Sequence, residues 1–295
     1  MTVVPRKAAS KIATILEMIK FEHTIFALPF ALTSALLAAN GFPKWSALGW
    51  ILLAMVGARS SAMAFNRIVD ARYDKLNPRT ANRALPSGIL GFGEVWLFTL
   101  AAAGAFVFAA YKLNMLAFAL SPVALLVVLG YSYTKRFTSF SHLVLGLALG
   151  IAPVGAWIGI TGTLGFAPIA LSAAVMFWTA GFDIIYALQD IDFDSKLGLF
   201  SIPRVLGPAK ALLVSRLFHA ATVLLLLVYG LLLGLGVVYY IGIAVVGCLL
   251  AYEQSLIKSD DFSRADMAFF TLNGFVSIGF FVFTFIDLIL RKVLH

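Results

Sequence analysis

The sequence predicts an all-α integral membrane protein of about nine transmembrane helices, and three observations predict it. The 295 residues are 61% hydrophobic and 12% charged, with a mean hydropathy of +0.97. Soluble domains are nearer 45–50% apolar and about 25% charged, so no soluble core hides this much apolar surface. The apolar residues fall into nine segments near the roughly 20 residues that a 30 Å hydrocarbon layer requires. The positive charges collect on one side of the predicted spans, as the positive-inside rule demands.

The N-terminal stretch 1–22 is basic and amphipathic. It has no cleavable apolar segment followed by a small-residue site, so it reads as a retained membrane-surface helix. The spans follow at about 24–40, 46–65, 92–110, 114–131, 142–160, 165–185, 211–233, 236–252 and 267–290. Residues 1–295 read as one polytopic domain, because a helical bundle in lipid needs no second unit. Two long polar connections follow the second and sixth spans, 67–88 and 189–208, and a short one, YTKRFTSFS, joins the fourth to the fifth. Cys248, the single cysteine, lies inside an apolar run and has no disulfide partner in the chain.

With the N-terminus in the cytoplasm, that side gathers Arg6, Lys7, Lys11, Lys20 and the basic residues of the three polar connections. The opposite side keeps Lys44, Lys112, Arg291 and Lys292. The net charge of +8 therefore has a topological origin and does not call for a nucleic-acid partner. It also places every acidic cluster on the cytoplasmic face, under the two long loops.

The second span ends in Asn66-xxx-Asp70-xxx-Asp74 and the sixth in Tyr186-xxx-Asp190-xxx-Asp194. Residues four apart share a helix face, so each motif forms one polar column if its helix continues. The two lie four spans apart, a weak internal repeat. Like carboxylates at this spacing repel, and near a bilayer the penalty grows. Facing columns of this kind suit Mg²⁺, a hard cation that takes a few carboxylates together with phosphate oxygens and water. Arg59 and Asp183, each seven residues before a motif, fall on the same faces. They either support the ligand site or pair as structural polar groups.

The loops add cations. Arg79 and Arg83 follow the first motif and Lys135-Arg136 sits in the short connection. Arginine forks and lysine point charges at a diphosphate stabilise the negative charge that grows as its bond to carbon breaks. Lys75, Lys196, Lys210 and Lys258 read as topological decoration.

These residues carry a resemblance. Asn66-xxx-Asp70-xxx-Asp74, Arg79-Thr-Ala-Asn-Arg83-Ala-Leu-Pro-Ser-Gly88, Tyr131-Ser-Tyr-Thr-Lys135-Arg136, Tyr186-Ala-xx-Asp190-xxx-Asp194 and Ser201-Ile-Pro-Arg appear in the order found in the UbiA superfamily of intramembrane prenyltransferases. The chain resembles most its 4-hydroxybenzoate polyprenyltransferase-like group. The resemblance implies nine helices around a central cavity in a bacterial inner membrane, with the active-site loops cytoplasmic. It implies that Asp70, Asp74, Asp190 and Asp194, with Asn66, hold Mg²⁺, and that these aspartates and Lys135 are catalytic. It implies that Lys20, Arg79, Arg83, Lys135 and Arg136 bind diphosphate, with Arg59, Asp183 and Tyr186 in support. One departure stands out: many relatives have Asn-Asp at the start of the first motif, and here Asn66 is followed by Arg67.

The implied reaction moves a polyprenyl group from its diphosphate onto an aromatic acid. The C–O bond breaks in a dry pocket, where aromatic faces can stabilise a cation, and an electron-rich ring attacks at carbon. 4-Hydroxybenzoate, in the ubiquinone route, is the leading acceptor. A naphthoate, in menaquinone synthesis, is the alternative within the class, and a secondary transporter is the alternative outside it. Transporter sites usually lie near the midplane on broken helices, whereas these acidic columns sit at one mouth.

Overall fold

The computed structural model describes residues 11–19 and 26–294. Helix α1 (Lys11–Met18) precedes α2 (Leu28–Ala38), α3 (Trp45–Leu76), α4 (Phe92–Leu113), α5 (Met115–Thr134), α6 (Ser141–Thr161) and α7 (Phe166–Ala187). After a 3₁₀ turn, Leu188–Asp190, come the short α8 (Ile191–Leu197) and α9 (Ile202–Leu206). The chain ends with α10 (Pro208–Leu233), α11 (Val237–Leu256), α12 (Ala265–Met267), a π-turn over Ala268–Leu272, and α13 (Asn273–Leu294). Among the described residues each predicted span returns as a helix. Eight are long and apolar enough to cross a membrane. The described part of the first span, α2, has 11 residues, about 16 Å of helix and half the hydrocarbon thickness.

Lipid tails are as apolar as leucine, so close contact rather than water exclusion must hold these helices together. Glycines allow it where it matters for the site. A Cβ on Gly146 would lie 2.1 Å from the Met176 carbonyl oxygen, and one on Gly150 would lie 2.7 Å from that of Ser172. Helices α6 and α7 therefore meet backbone to backbone, and the Ser172 hydroxyl donates to the Gly150 carbonyl at 2.6 Å. At Gly57, α3 approaches α4 in the same way, 2.8 Å from the Ala102 carbonyl oxygen to an added Cβ. The Ser215 hydroxyl donates to the Gly181 carbonyl at 2.7 Å, fixing α10 to α7. An aromatic core of Phe26, Phe30, Trp178, Phe182, Tyr239 and Phe280 joins α2, α7, α11 and α13.

Helix α3 runs for 32 residues, roughly 48 Å at 1.5 Å per residue. That is longer than the hydrocarbon layer, and its last turns carry the first acidic motif. Arg67, the departure noted in the sequence, is buried, and its Nε donates to the Met18 carbonyl at 3.3 Å. Met18 and Ile19 pack beside Ala64, Ala71 and Val95. The extra cation thus ties the N-terminal amphipathic helix to α3.

Candidate active site

The polar ends of α3, α5, α6 and α7 converge with their loops at one end of the bundle. Asp70 lies buried on α3. Its Oδ2 accepts from Asn66 Nδ2 at 3.1 Å and from Lys135 Nζ at 2.7 Å. Its Oδ1 has no hydrogen-bond partner and lies 3.6 Å from Arg136 Nη2. One turn on, both oxygens of Asp74 accept from Arg83 Nη1 at 2.8 Å, and the Thr80 hydroxyl caps the Asp74 carbonyl at 3.0 Å. The first motif is therefore a continuous helical column, as its spacing predicts.

The second motif is not. The α-helix stops at Ala187, tightens into a 3₁₀ turn, and resumes at Ile191. Tyr186, Asp190 and Asp194 therefore do not stack in one α-helical column, a correction to the sequence expectation. Arg79 spans the mouth from the loop after α3. Its Nη2 donates to the two Asp190 oxygens at 2.9 and 2.6 Å, and its Nη1 donates to the Tyr186 hydroxyl at 3.1 Å. Partial burial works against the Arg79 charge, but Asp190 and Tyr186 outweigh it and hold the guanidinium above its ordinary value. Tyr186 in turn packs on Phe269 of the π-turn, with ring centroids 4.4 Å apart.

Lys135 links the motifs. It bonds to Asp70, lies within electrostatic reach of Asp194, and its carbonyl accepts from the Phe200 backbone N–H at 2.7 Å. Asp194 also bonds the Ser201 side chain and feels Asp190 and His142. Arg136 lies between the rings of Tyr73 and Tyr133, 5.0 and 5.2 Å from their centroids, and donates to the Val69 carbonyl at 2.7 Å. The basic residues expected at a diphosphate thus contact carboxylates here: Arg79 on Asp190, Arg83 on Asp74, and Lys135 with Arg136 on Asp70. Lys20 lies outside the described residues.

Below the mouth is an apolar cavity of about 550 Å³ lined by α3 to α6 and the start of α7, with Ala27 just before α2. Its wall mixes alanines such as Ala58, Ala62, Ala124 and Ala148 with larger aliphatic side chains, and Arg59 and Tyr131 are among its few polar members. Leu120 and Val123 from α5 and Leu147 from α6 line it and keep much of their surface accessible.

Asp183 accepts from His142 Nδ1 at 2.7 Å, so the partner the structure gives it is a histidine. The other ring nitrogen, Nε2, accepts from the Ile202 backbone N–H at 3.2 Å. Sequence reasoning missed His142. It opens α6, 41 residues from Asp183, and only packing of α6 on α7 joins them.

The sequence model of the UbiA prenyltransferase family matches residues 27–277. The chain is 34% identical over 228 residues to the 4-hydroxybenzoate octaprenyltransferase of Vibrio cholerae, covering 77% of this chain and 80% of that one. It is 32% identical to the enzyme of the same name from Sodalis glossinidius, covering 83% and 84%. Among solved structures, a UbiA homolog from Aeropyrum pernix superposes with a TM-score of 0.82 at 36% identity, over 90% of this chain and 98% of that one. A homolog from Archaeoglobus fulgidus, solved with DMAPP and Mg²⁺, shares the fold with a TM-score of 0.73 at 22% identity, over 93% and 99%.

Proposed function

The chain belongs to the UbiA prenyltransferase family, and on that premise we propose that it transfers a polyprenyl group from its diphosphate to the ring of 4-hydroxybenzoate, using Mg²⁺, at the cytoplasmic face of a bacterial inner membrane. The observation that carries this reading is the position of Lys135, between two acidic motifs and above an apolar cavity. A charged head and a long apolar tail find adjoining environments there.

Mg²⁺ suits the donor set of Asn66, Asp70, Asp74, Asp190 and Asp194. All the ligands would be oxygens, and Asp70 Oδ1 is buried without a hydrogen-bond partner. Among the described residues no three His, Cys, Asp or Glu groups cluster closely enough to hold a metal ion by themselves; Mg²⁺ usually takes one or two carboxylates beside phosphate oxygens and water. When bound, the ion supplies positive charge to the leaving diphosphate.

The chain does the rest. Lys135, Arg79 and Arg83 turn toward the phosphate oxygens, where their charge counts most as the C–O bond lengthens. Arg136, held between two tyrosines, fixes α5 against α3 and so sets the position of Lys135. The apolar cavity takes the tail and excludes water from the reacting carbon, and an opening to lipid would give tail and product a way in and out. Arg59, in the cavity lining, presents a cation suited to the carboxylate of an aromatic acid.

The test is product formation by the purified protein in proteoliposomes, given polyprenyl diphosphate and a panel of aromatic acids. Mg²⁺-dependent prenylation of 4-hydroxybenzoate, identified by mass, is expected. Prenylation of a hydroxynaphthoate in its place would reassign the acceptor, and flux without product would point to a transporter.

A further inference from the structure

An ionisable side chain buried in a membrane bundle is costly and calls for a reason. Glu253, near the end of α11, and Asn273, at the start of α13, are both completely buried. Neither belongs to a sequence motif. Resting on the reading above, we propose that Glu253 and Asn273 are positioning residues for the diphosphate: they build the π-turn whose Phe269 seats Tyr186, and Tyr186 aims Arg79.

The argument starts from the backbone. π-Turns are rare, occur mostly as single turns inside α-helices, and often mark functional sites. Here one separates α12 from α13. The wider turn disturbs the regular ladder, and buried carbonyls there need another donor. Asn273 supplies one: its Nδ2 donates to the Ala268 carbonyl at 3.0 Å and to the Phe269 carbonyl at 3.2 Å. The same nitrogen donates to Glu253 Oε1 at 3.0 Å. Turned the other way, the amide would set its oxygen against three acceptors, so Glu253 helps to fix which way Asn273 faces. Glu253 itself has a fixed origin. The neighbouring Gln254 donates Nε2 to the Ser215 hydroxyl at 2.7 Å, and that hydroxyl donates to the Gly181 carbonyl at 2.7 Å. Helix α11 is thereby tied, through α10, to α7, the helix that carries Tyr186.

One residue is worth about 100° of helix rotation. A regular α-helix in place of the π-turn would swing Phe269 away from its present neighbours. Those are Tyr186, Phe182 and Phe26, with ring centroids 4.4, 5.2 and 5.7 Å away. Tyr186 stands between Phe269 and Arg79. Its hydroxyl accepts from Arg79 Nη1 at 3.1 Å, and the guanidinium carbon lies 5.7 Å from its ring centroid. Asp190 holds the other guanidinium nitrogen, Nη2. Asp190 thus anchors Arg79 across the mouth, and Tyr186 sets the angle at which it crosses. Glu253 and Asn273 act on the diphosphate only through Phe269, Tyr186 and Arg79.

The experiment compares wild type with Asn273→Leu, Glu253→Gln, Phe269→Leu, Tyr186→Phe and the double variant Asn273→Leu/Tyr186→Phe in proteoliposomes. KM is measured for the prenyl diphosphate and for 4-hydroxybenzoate. The Kd of a prenyl thiolodiphosphate, which binds without ionising, is measured with Mg²⁺ and no acceptor. Asn273→Leu and Phe269→Leu should each raise KM for the prenyl diphosphate and Kd for its analogue about tenfold, the scale of one hydrogen bond to a charged group. KM for the aromatic acid should not change. Glu253→Gln keeps an acceptor for the Asn273 amide and should bind the analogue nearly as wild type does. The double variant should bind no worse than Tyr186→Phe alone, because both changes reach Arg79 through one hydroxyl. Additive losses in the double variant would overturn the proposal. So would a fall in active fraction with both KM values unchanged, the mark of a purely structural pair. Phe269→Leu leaves the buried polar pair intact; if Asn273→Leu does not fold, an unchanged Kd in Phe269→Leu overturns the proposal by itself. Wild type that binds the analogue but prenylates no aromatic acid would end the functional reading, and the Kd series would still decide this inference; wild type that does not bind the analogue ends both.

Discussion

The two acidic motifs look alike as text and differ as structures. On α3 the carboxylates follow an unbroken helix and are largely covered, with 5% of the Asp70 side chain and 10% of Asp74 accessible. Past α7 the helix breaks into a 3₁₀ turn, and Asp190 keeps 24% of its side chain accessible beside an Arg79 that is itself 42% accessible. The first motif is held from several sides by Asn66, Lys135, Arg83 and the Arg136 brace. In the second, Asp190 is held across the mouth by one arginine from a loop. Fixed donors on one wall and adjustable donors on the other suit a site that must grip a diphosphate and then release it.

The sharpest way to break this comparison is to neutralise one carboxylate on each side. Asp70→Asn leaves Lys135 without its buried anion and should lower prenyl transfer by roughly 10³-fold, comparable to losing a principal electrostatic group from an active site. Asp190→Asn acts on the more accessible, singly held side and should lower it by roughly 10²-fold. Initial rates in membranes at saturating Mg²⁺ decide this. Equal losses would mean that the two walls are equivalent after all, and wild-type rates in both would remove the aspartates from the site.

The helices that carry the walls differ too, and stability can show it. An added Cβ on Gly146 meets the Met176 carbonyl oxygen at 2.1 Å, whereas one on Gly57 meets its nearest carbonyl oxygen at 2.8 Å. Gly146→Ala must push α6 and α7 apart and should destabilise the protein by about 3 kcal/mol; Gly57→Ala should cost about 1 kcal/mol, the span usual for overpacking. Thermal unfolding in detergent measures both. The Gly146 variant should also lose activity beyond its loss of stability, because α7 leads into the second acidic motif.

Much of this was legible in the sequence, for identifiable reasons. Apolar segment length reports the hydrocarbon thickness directly, so the spans could be read one by one. The Asn66 to Asp74 column could be read because its helix simply continues. The break after Ala187 could not, because no glycine or proline lies between Tyr186 and Asp194 to signal it. The sequence places Arg79, Arg83 and Lys135 on the side of the acidic motifs, but charge alone does not say whether a cation faces a phosphate or a carboxylate, and the observed pairs depend on loop paths. Arg67 looked like a departure in the motif, and its contact with the Met18 carbonyl, 49 residues away, is a matter of tertiary packing. The same is true of His142, which carries no motif and gains its meaning from Asp183.

The smallest expected effect tests the brace that sets the rigid wall. Arg136 donates to the Val69 carbonyl while its guanidinium plane lies between Tyr73 and Tyr133. Lysine keeps the charge but loses the planar fork and the stacking. Arg136→Lys should therefore cost about 1 kcal/mol of stability, the scale of a partly exposed cation–π contact, and reduce transfer only several-fold. The informative quantity is where the loss appears. If Arg136 is a brace, kcat falls through a displaced Lys135 while KM for the prenyl diphosphate holds. If it grips the diphosphate directly, KM rises by an order of magnitude, and the first wall is then less fixed than its hydrogen bonds imply.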